Sequence, residues 1–210
     1  GGIGFWELSQ DDGGELVAAA DRAFRSTWDN PFRDVAPGAW YEEAVQHVYE
    51  AGLMQGTSAS AFSPGRTTTR GQIVTILHRL EGSPRAGRPP FTDVAAGSYC
   101  AEAVAWAEQN AIVRGFGDGT FRPDRPITRQ QLAAILLRYM EHRGEGTAGR
   151  ADLSRFSASA AVADYAREAM AWAVSAGLLQ GRANGTLDPA GSATRAQTAV
   201  ILHRLDALLE

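Results

Sequence analysis

The chain repeats itself three times, and this limits its fold more than any other feature of its 210 residues. The copies open Phe32-Arg33-Asp34-Val35, Phe91-Thr92-Asp93-Val94 and, less completely, at Phe156. Each passes an aromatic (Trp40, Tyr99, Tyr165) and a glycine-ended segment: Gly52-Leu53-Met54-Gln55-Gly56, Ala111-Ile112-Val113-Arg114-Gly115 and Gly177-Leu178-Leu179-Gln180-Gly181. Each then reaches a proline and, six residues later, an arginine: Pro64 and Arg70, Pro123 and Arg129, Pro189 and Arg195. The arginines are 59 and 66 residues apart, and the seven extra residues fall mostly in the polar, Gly-rich stretch 144–155. The other connector, 82–90, holds three prolines, so both read as surface linkers. The units run over residues 32–82, 91–144 and 156–208. Residues 1–31 read as an N-terminal helix or linker, or the tail of an upstream domain, with Phe5 and Trp6 expected to dock.

Each unit reads as helix, loop, helix. The first helix of unit one is expected over 40–51, where Ala44, Val45, Val48 and Tyr49 share a face and Gly52 is a left-handed stop. The second opens at Thr69 with a stripe of Ile73, Val74, Ile76, Leu77 and Leu80. Units two and three repeat the stripe through Leu132, Ile135 and Leu136, then Val200, Ile201 and Leu205. Thr69 with Gln72, Thr128 with Gln131 and Thr194 with Gln197 have capping-box spacing. One such pair of helices cannot bury its apolar faces alone, but three closing around a shared axis can. The expected fold class is all-α, a pseudo-threefold bundle of three helix-loop-helix repeats.

Composition removes several functions. Twenty basic residues against 24 acidic ones leave a net charge of −4, which argues against nucleic-acid binding by phosphate neutralisation. All the basic residues are arginine, so Walker-lysine and Schiff-base chemistry are excluded. One cysteine, Cys100, forms no internal disulfide. No run approaches the roughly 18 to 20 apolar residues of a membrane span, so no membrane insertion is expected.

The pattern Phe-x-Asp-Val, aromatic, Gly-Thr-Phe-x-Pro, Thr-Arg resembles the S-layer homology (SLH) repeat, over about 32–208. Three tandem copies are usual in that family. The resemblance implies a compact pseudo-trimer of helices that attaches a larger surface protein noncovalently to the bacterial cell wall. The implied partner is a secondary cell-wall polysaccharide carrying pyruvate ketals on an amino sugar, and the implied location is the extracellular cell surface. By position, the family's groove residues become Arg70, Asp34 and Trp40 in unit one and Arg129, Asp93 and Tyr99 in unit two. Arg195 and Tyr165 are the counterparts in unit three, and Gly56, Gly115 and Gly181 are the loop glycines.

Physical chemistry supports an acidic ligand. Each of these arginines opens a helix, where free amides and the macrodipole favour an anion, and its fork suits a carboxylate. A glycine loop admits close approach of a ligand, and an aromatic can stack on a sugar ring. The opposing reading makes the arginines glue between units, paired with Asp34 or Asp93, and the aromatics half-buried core. Trp106 and Trp172 read as core on either account. The chain departs from the family where Gln stands for the usual Glu at the fourth position of Thr-Arg-x-x. Unit three also has Ala158 in place of the Asp and one extra residue before Tyr165. Units one and two are therefore expected to bind better than unit three.

No catalytic constellation is present. Glu102, Glu108 and Glu168 read as solvated helix faces. His47, His78, His142 and His203 are scattered, and Gly117-Asp118-Gly119 lacks the alternating acids of a calcium loop. No metal or cofactor is expected. The rival to wall binding is a helical-repeat scaffold for protein interaction or oligomerisation.

Overall fold

The computed structural model describes residues 28–157, 159–182 and 184–209. The helix expected within residues 1–31, the docking of Phe5 and Trp6, and Ala158 lie outside the described residues, except for positions 28–31. Among the described residues the fold is all-α: α1 (Glu42–Glu50), α2 (Arg70–Leu80), α3 (Ala101–Gln109), α4 (Arg129–Arg143), α5 (Asp164–Ser175) and α6 (Arg195–Asp206). Two short 3-10 turns, Leu153–Arg155 and Ser159–Ala161, precede α5.

The second helix of every unit starts on the expected box. Gln72 N–H donates to Thr69 Oγ1 (3.3 Å), and Thr69 N–H donates to Gln72 Oε1 (2.9 Å). The same reciprocal pair opens α4 and α6. α1 is shorter than expected and leaves Trp40 outside it. Gly52 and Gly177 take the left-handed conformation after α1 and α5, as a stop should.

The helices do not pack as the linear order of the repeats suggests. α2 packs on α3, α4 on α5, and α6 returns to α1. Each second helix therefore meets the first helix of the next unit, and the last pair closes the ring. Across that closing seam the His47 ring stacks on His203 (4.5 Å), and His47 Nε2 lies 2.9 Å from Asp206 Oδ2. The apolar stripes point inward: Val45, Val48, Ile73, Leu77, Leu132, Leu136, Leu202 and Leu205 are buried, as are Trp106 and Trp172.

Three short segments meet at the axis in a closed triangle of backbone bonds. Thr68 N–H donates to Ala193 O (3.0 Å), Ala193 N–H to Ile127 O (3.0 Å), and Ile127 N–H to Thr68 O (2.9 Å). Each edge satisfies polar groups that burial would otherwise leave unpaired. The pseudo-threefold closure is thus written into the main chain at the point where all three units touch.

Candidate functional site

The helix openings were expected to offer free amides to an anion, but the structure spends those amides on the fold. Arg70 N–H donates to Arg125 O (3.0 Å) and Gly71 N–H to Pro123 O (2.8 Å). Arg129 and Gln130 donate likewise to Gly191 and Pro189, and Arg195 and Ala196 to Arg66 and Pro64. With the Thr caps, the first turn of each second helix is fully occupied by the proline turn of the next unit.

The arginine side chains follow the same cycle. Arg70, Arg129 and Arg195 are only 6%, 5% and 7% exposed. Their Nε–H groups donate to Phe121 O (2.8 Å), Leu187 O (2.9 Å) and Phe62 O (2.7 Å), always in the following unit. Arg129 Nη2 also donates to Gln180 O (2.6 Å), and Arg195 Nη2 to Gln55 O (2.5 Å). Burial lowers all three pKa values, Arg70 to about 10, which leaves it a cation at neutral pH. They do join units, as the opposing reading held, but through carbonyls and not through ion pairs with Asp34 or Asp93.

Asp34 and Asp93 clasp the proline turns. Asp34 accepts from Phe62 N–H (2.8 Å) and Ser63 N–H (2.7 Å), and Asp93 accepts from Phe121 N–H (2.8 Å) and Arg122 N–H (2.7 Å). Ser63 and Arg122 sit in the left-handed region (φ 58° and 59°) just before a proline, a strained position that the carboxylates help hold. The loop glycines have a packing reason too. A Cβ on Gly56 or Gly181 would lie 2.6 Å from the ring of Phe32 or Phe156, and one on Gly115 would strike Phe91.

The aromatics depart from the opposing reading. Trp40, Tyr99 and Tyr165 are not half-buried core but 67%, 60% and 56% exposed. Trp40 and Tyr99 precede the first turn of their helices, where no apolar stripe is available to them, and Tyr165 sits at the N-terminal end of α5. Tyr99 and Trp40 each stand at the mouth of a groove. Tyr99 lines a cavity of about 220 Å³ with Gln55, Gly56, Gln72, Arg79 and Arg195. Trp40 lines one of about 610 Å³ with Arg129, Gln180, Gly181, Arg182, Gln197 and Arg204. Tyr165 holds the third equivalent position, on α5, against which α4 with Arg138 packs.

Each of these two grooves is therefore assembled from all three units: a loop and second helix from one, an aromatic from the next and a buried arginine from the third. Trp40 belongs with Arg129 and Tyr99 with Arg195, not with the arginines of their own units. Sequence reading missed a second arginine, nine residues after the first in every unit: Arg79, Arg138 and Arg204. That regular spacing was visible and places each on the groove side of its helix. No carboxylate lines the Tyr99 or Trp40 groove, although the chain is net negative. Gln72 and Gln197, where the family has Glu, contribute to that neutrality, and the arginines need no such Glu to hold their pose.

Residues 31–74, 90–133 and 159–199 each match the S-layer homology domain family. Among similar proteins, the Surface-layer 125 kDa protein of Lysinibacillus sphaericus is 32% identical over 178 residues, 83% of this chain and 14% of that protein. An Endoglucanase of Bacillus sp. (strain KSM-635) is 30% identical over 176 residues, 83% of this chain and 18% of that protein. The Cellulosome-anchoring protein of Acetivibrio thermocellus is 25% identical over 162 residues, 73% of this chain and 35% of that protein. The chain thus spans a minor part of the length of the relatives it matches.

Proposed function

The chain belongs to the S-layer homology domain family, and from that premise we propose that it anchors a larger protein to the bacterial cell wall by binding an acidic secondary wall polysaccharide. Its setting is the extracellular bacterial surface, as for its surface-layer and cellulosome-anchoring relatives. The observation that carries the ligand class is the groove itself. An exposed aromatic faces arginines, with no carboxylate in the Tyr99 and Trp40 grooves. An aromatic face suits the apolar face of a sugar ring, and a guanidinium beside it suits a carboxylate on that ring. A pyruvate ketal on an amino sugar supplies such a carboxylate, and we propose it as the ligand unit.

We also propose that the module binds without catalysing. The enzyme relatives share only a small part of their length with it, 18% for the Endoglucanase and 10% for an Amylopullulanase of Thermoanaerobacterium thermosulfurigenes. A surface-layer protein, whose name carries no hydrolytic activity, matches as well.

Sedimentation of the purified chain with wall sacculi from bacteria bearing S-layer homology proteins tests the proposal. The chain is expected to pellet with intact sacculi and to stay in the supernatant once the secondary polymer is chemically removed. Equal pelleting with stripped sacculi would overturn the ligand. No pelleting with intact walls would overturn anchoring and favour the scaffold reading.

A further inference from the structure

The three grooves share one plan but not one charge. In two of them the buried arginine is tied down twice, because Arg129 and Arg195 use Nη2 as well as Nε on carbonyls. Arg70 makes only the Nε bond to Phe121 O among the described residues, which leaves its Nη groups without a protein acceptor. The outer arginines differ in the same sense. Arg79 Nη1 donates to Leu53 O (2.9 Å) and Arg204 Nη1 to Gly177 O (3.0 Å), whereas Arg138 makes no hydrogen bond or ion pair among the described residues. The loop adds a third difference. Gln55 and Gln180 precede the glycine in the other grooves, and Arg114 stands there in this one, exposed and unpaired among the described residues.

The repeat places these groups together: Arg114 and Arg138 correspond to Gln55 and Arg79 of the Tyr99 groove, Tyr165 to Tyr99 and Arg70 to Arg195, and α4, which carries Arg138, packs on α5, which carries Tyr165. Burial lowers the Arg138 pKa first, and the neighbouring Arg114 charge lowers it further; Glu141 on the same helix opposes both without forming an ion pair. Burial, with the charges of Arg125 and Arg122, lowers the Arg70 pKa to about 10 against the opposing Asp93. Arg122 is compensated by Asp118 (2.8 Å). Arg70, Arg114 and Arg138 thus bring unspent donors to one groove position, and three like charges gain most from a ligand that carries more than one opposite charge.

We propose that the Arg70–Tyr165 groove selects a sugar unit bearing two anionic groups, with Arg114 and Arg138 as the residues that read the second one. This rests on the reading that the grooves hold acidic glycan. The other two grooves have glutamine in place of Arg114 and outer arginines bonded to the chain, and the extra Arg182 of the Trp40 groove is paired with Asp188, so they take singly charged units.

Calorimetry with two probes tests it: methyl glucuronide, with one carboxylate, and glucuronic acid carrying an anomeric phosphate, with two anions. The wild type is expected to bind the sugar with two anionic groups at one site per chain about 10-fold more tightly than the sugar with one, the size of one charge-assisted hydrogen bond. Arg114→Gln and Arg138→Gln should each reduce that ratio to near unity with the melting temperature unchanged. Equal affinity for the two sugars, a preference that survives in both variants, or binding of neither sugar would overturn the inference. Sedimentation of the wild type with intact sacculi separates the two levels. Pelleting without a preference for two charges overturns only this inference, and absence of pelleting overturns the anchoring reading beneath it.

Discussion

At Arg70, Arg129 and Arg195 a guanidinium is buried without an ion pair, an arrangement whose desolvation must be offset by other means. The offset is a carbonyl of the next unit and, for two of the three, an aromatic face. Arg70 Cζ lies 4.6 Å from the Phe121 ring centre, and Arg195 Cζ lies 4.4 Å from that of Phe62. Leu187 takes that place beside Arg129 and offers the carbonyl alone. The positions of these arginines were legible in the sequence. Their partners were not, because each bond crosses between units more than 50 residues apart, and spacing along the chain carries no information about such contacts. A smaller irregularity gives a direct test. Ala111 stands where units one and three have Gly52 and Gly177, and it is held in the left-handed region at φ 58°. Its Cβ costs about 1 kcal/mol there. Ala111→Gly should therefore stabilise the fold by up to that amount, seen as a higher urea midpoint at unchanged slope. A lower midpoint would contradict the assignment.

The helices themselves were largely readable. Stripe spacing located both helices of unit one and the second helices of units two and three, and the Thr-x-x-Gln boxes fixed the starts of α2, α4 and α6. What the stripes cannot state is which other stripe they face. Periodicity describes one helix at a time, so the pairing of α2 with α3, α4 with α5 and α6 with α1 had to come from the structure. The same limit explains the aromatics. Trp40 was expected inside a helix of residues 40–51, and a helix beginning at Glu42 leaves it outside, facing solvent. The caps carry a prediction of their own. Thr128→Ala removes the Oγ1 that accepts from Gln131 N–H (3.3 Å) and should cost about 1 kcal/mol. Thr128→Ser keeps the oxygen and should restore most of the loss. Equal losses for the two variants, measured by chemical denaturation, would show that the cap oxygen is not what matters at this position.

For the whole molecule, closure is what makes the grooves. The backbone triangle at Thr68, Ile127 and Ala193 and the return of α6 to α1 bring together residues that no single unit can assemble. That a cationic, aromatic site exists was legible from the repeated residue types. That Trp40 would sit with Arg129, and Tyr99 with Arg195, follows only from the ring. The structure also decides how the site should be tested. Replacing a buried arginine removes an inter-unit bond and confounds binding with stability, whereas Trp40, Tyr99 and Tyr165 are exposed and can be truncated with little effect on the core. The most direct measurement is therefore the affinity of purified secondary wall polymer for the wild type and for the Trp40→Ala, Tyr99→Ala, Tyr165→Ala triple variant, with melting temperatures recorded alongside. The account predicts that affinity falls more than about 10-fold, as expected when stacking contacts worth more than about 1.4 kcal/mol in total are removed, while the melting temperature stays close to that of the wild type. Undiminished affinity in a folded triple variant would contradict it.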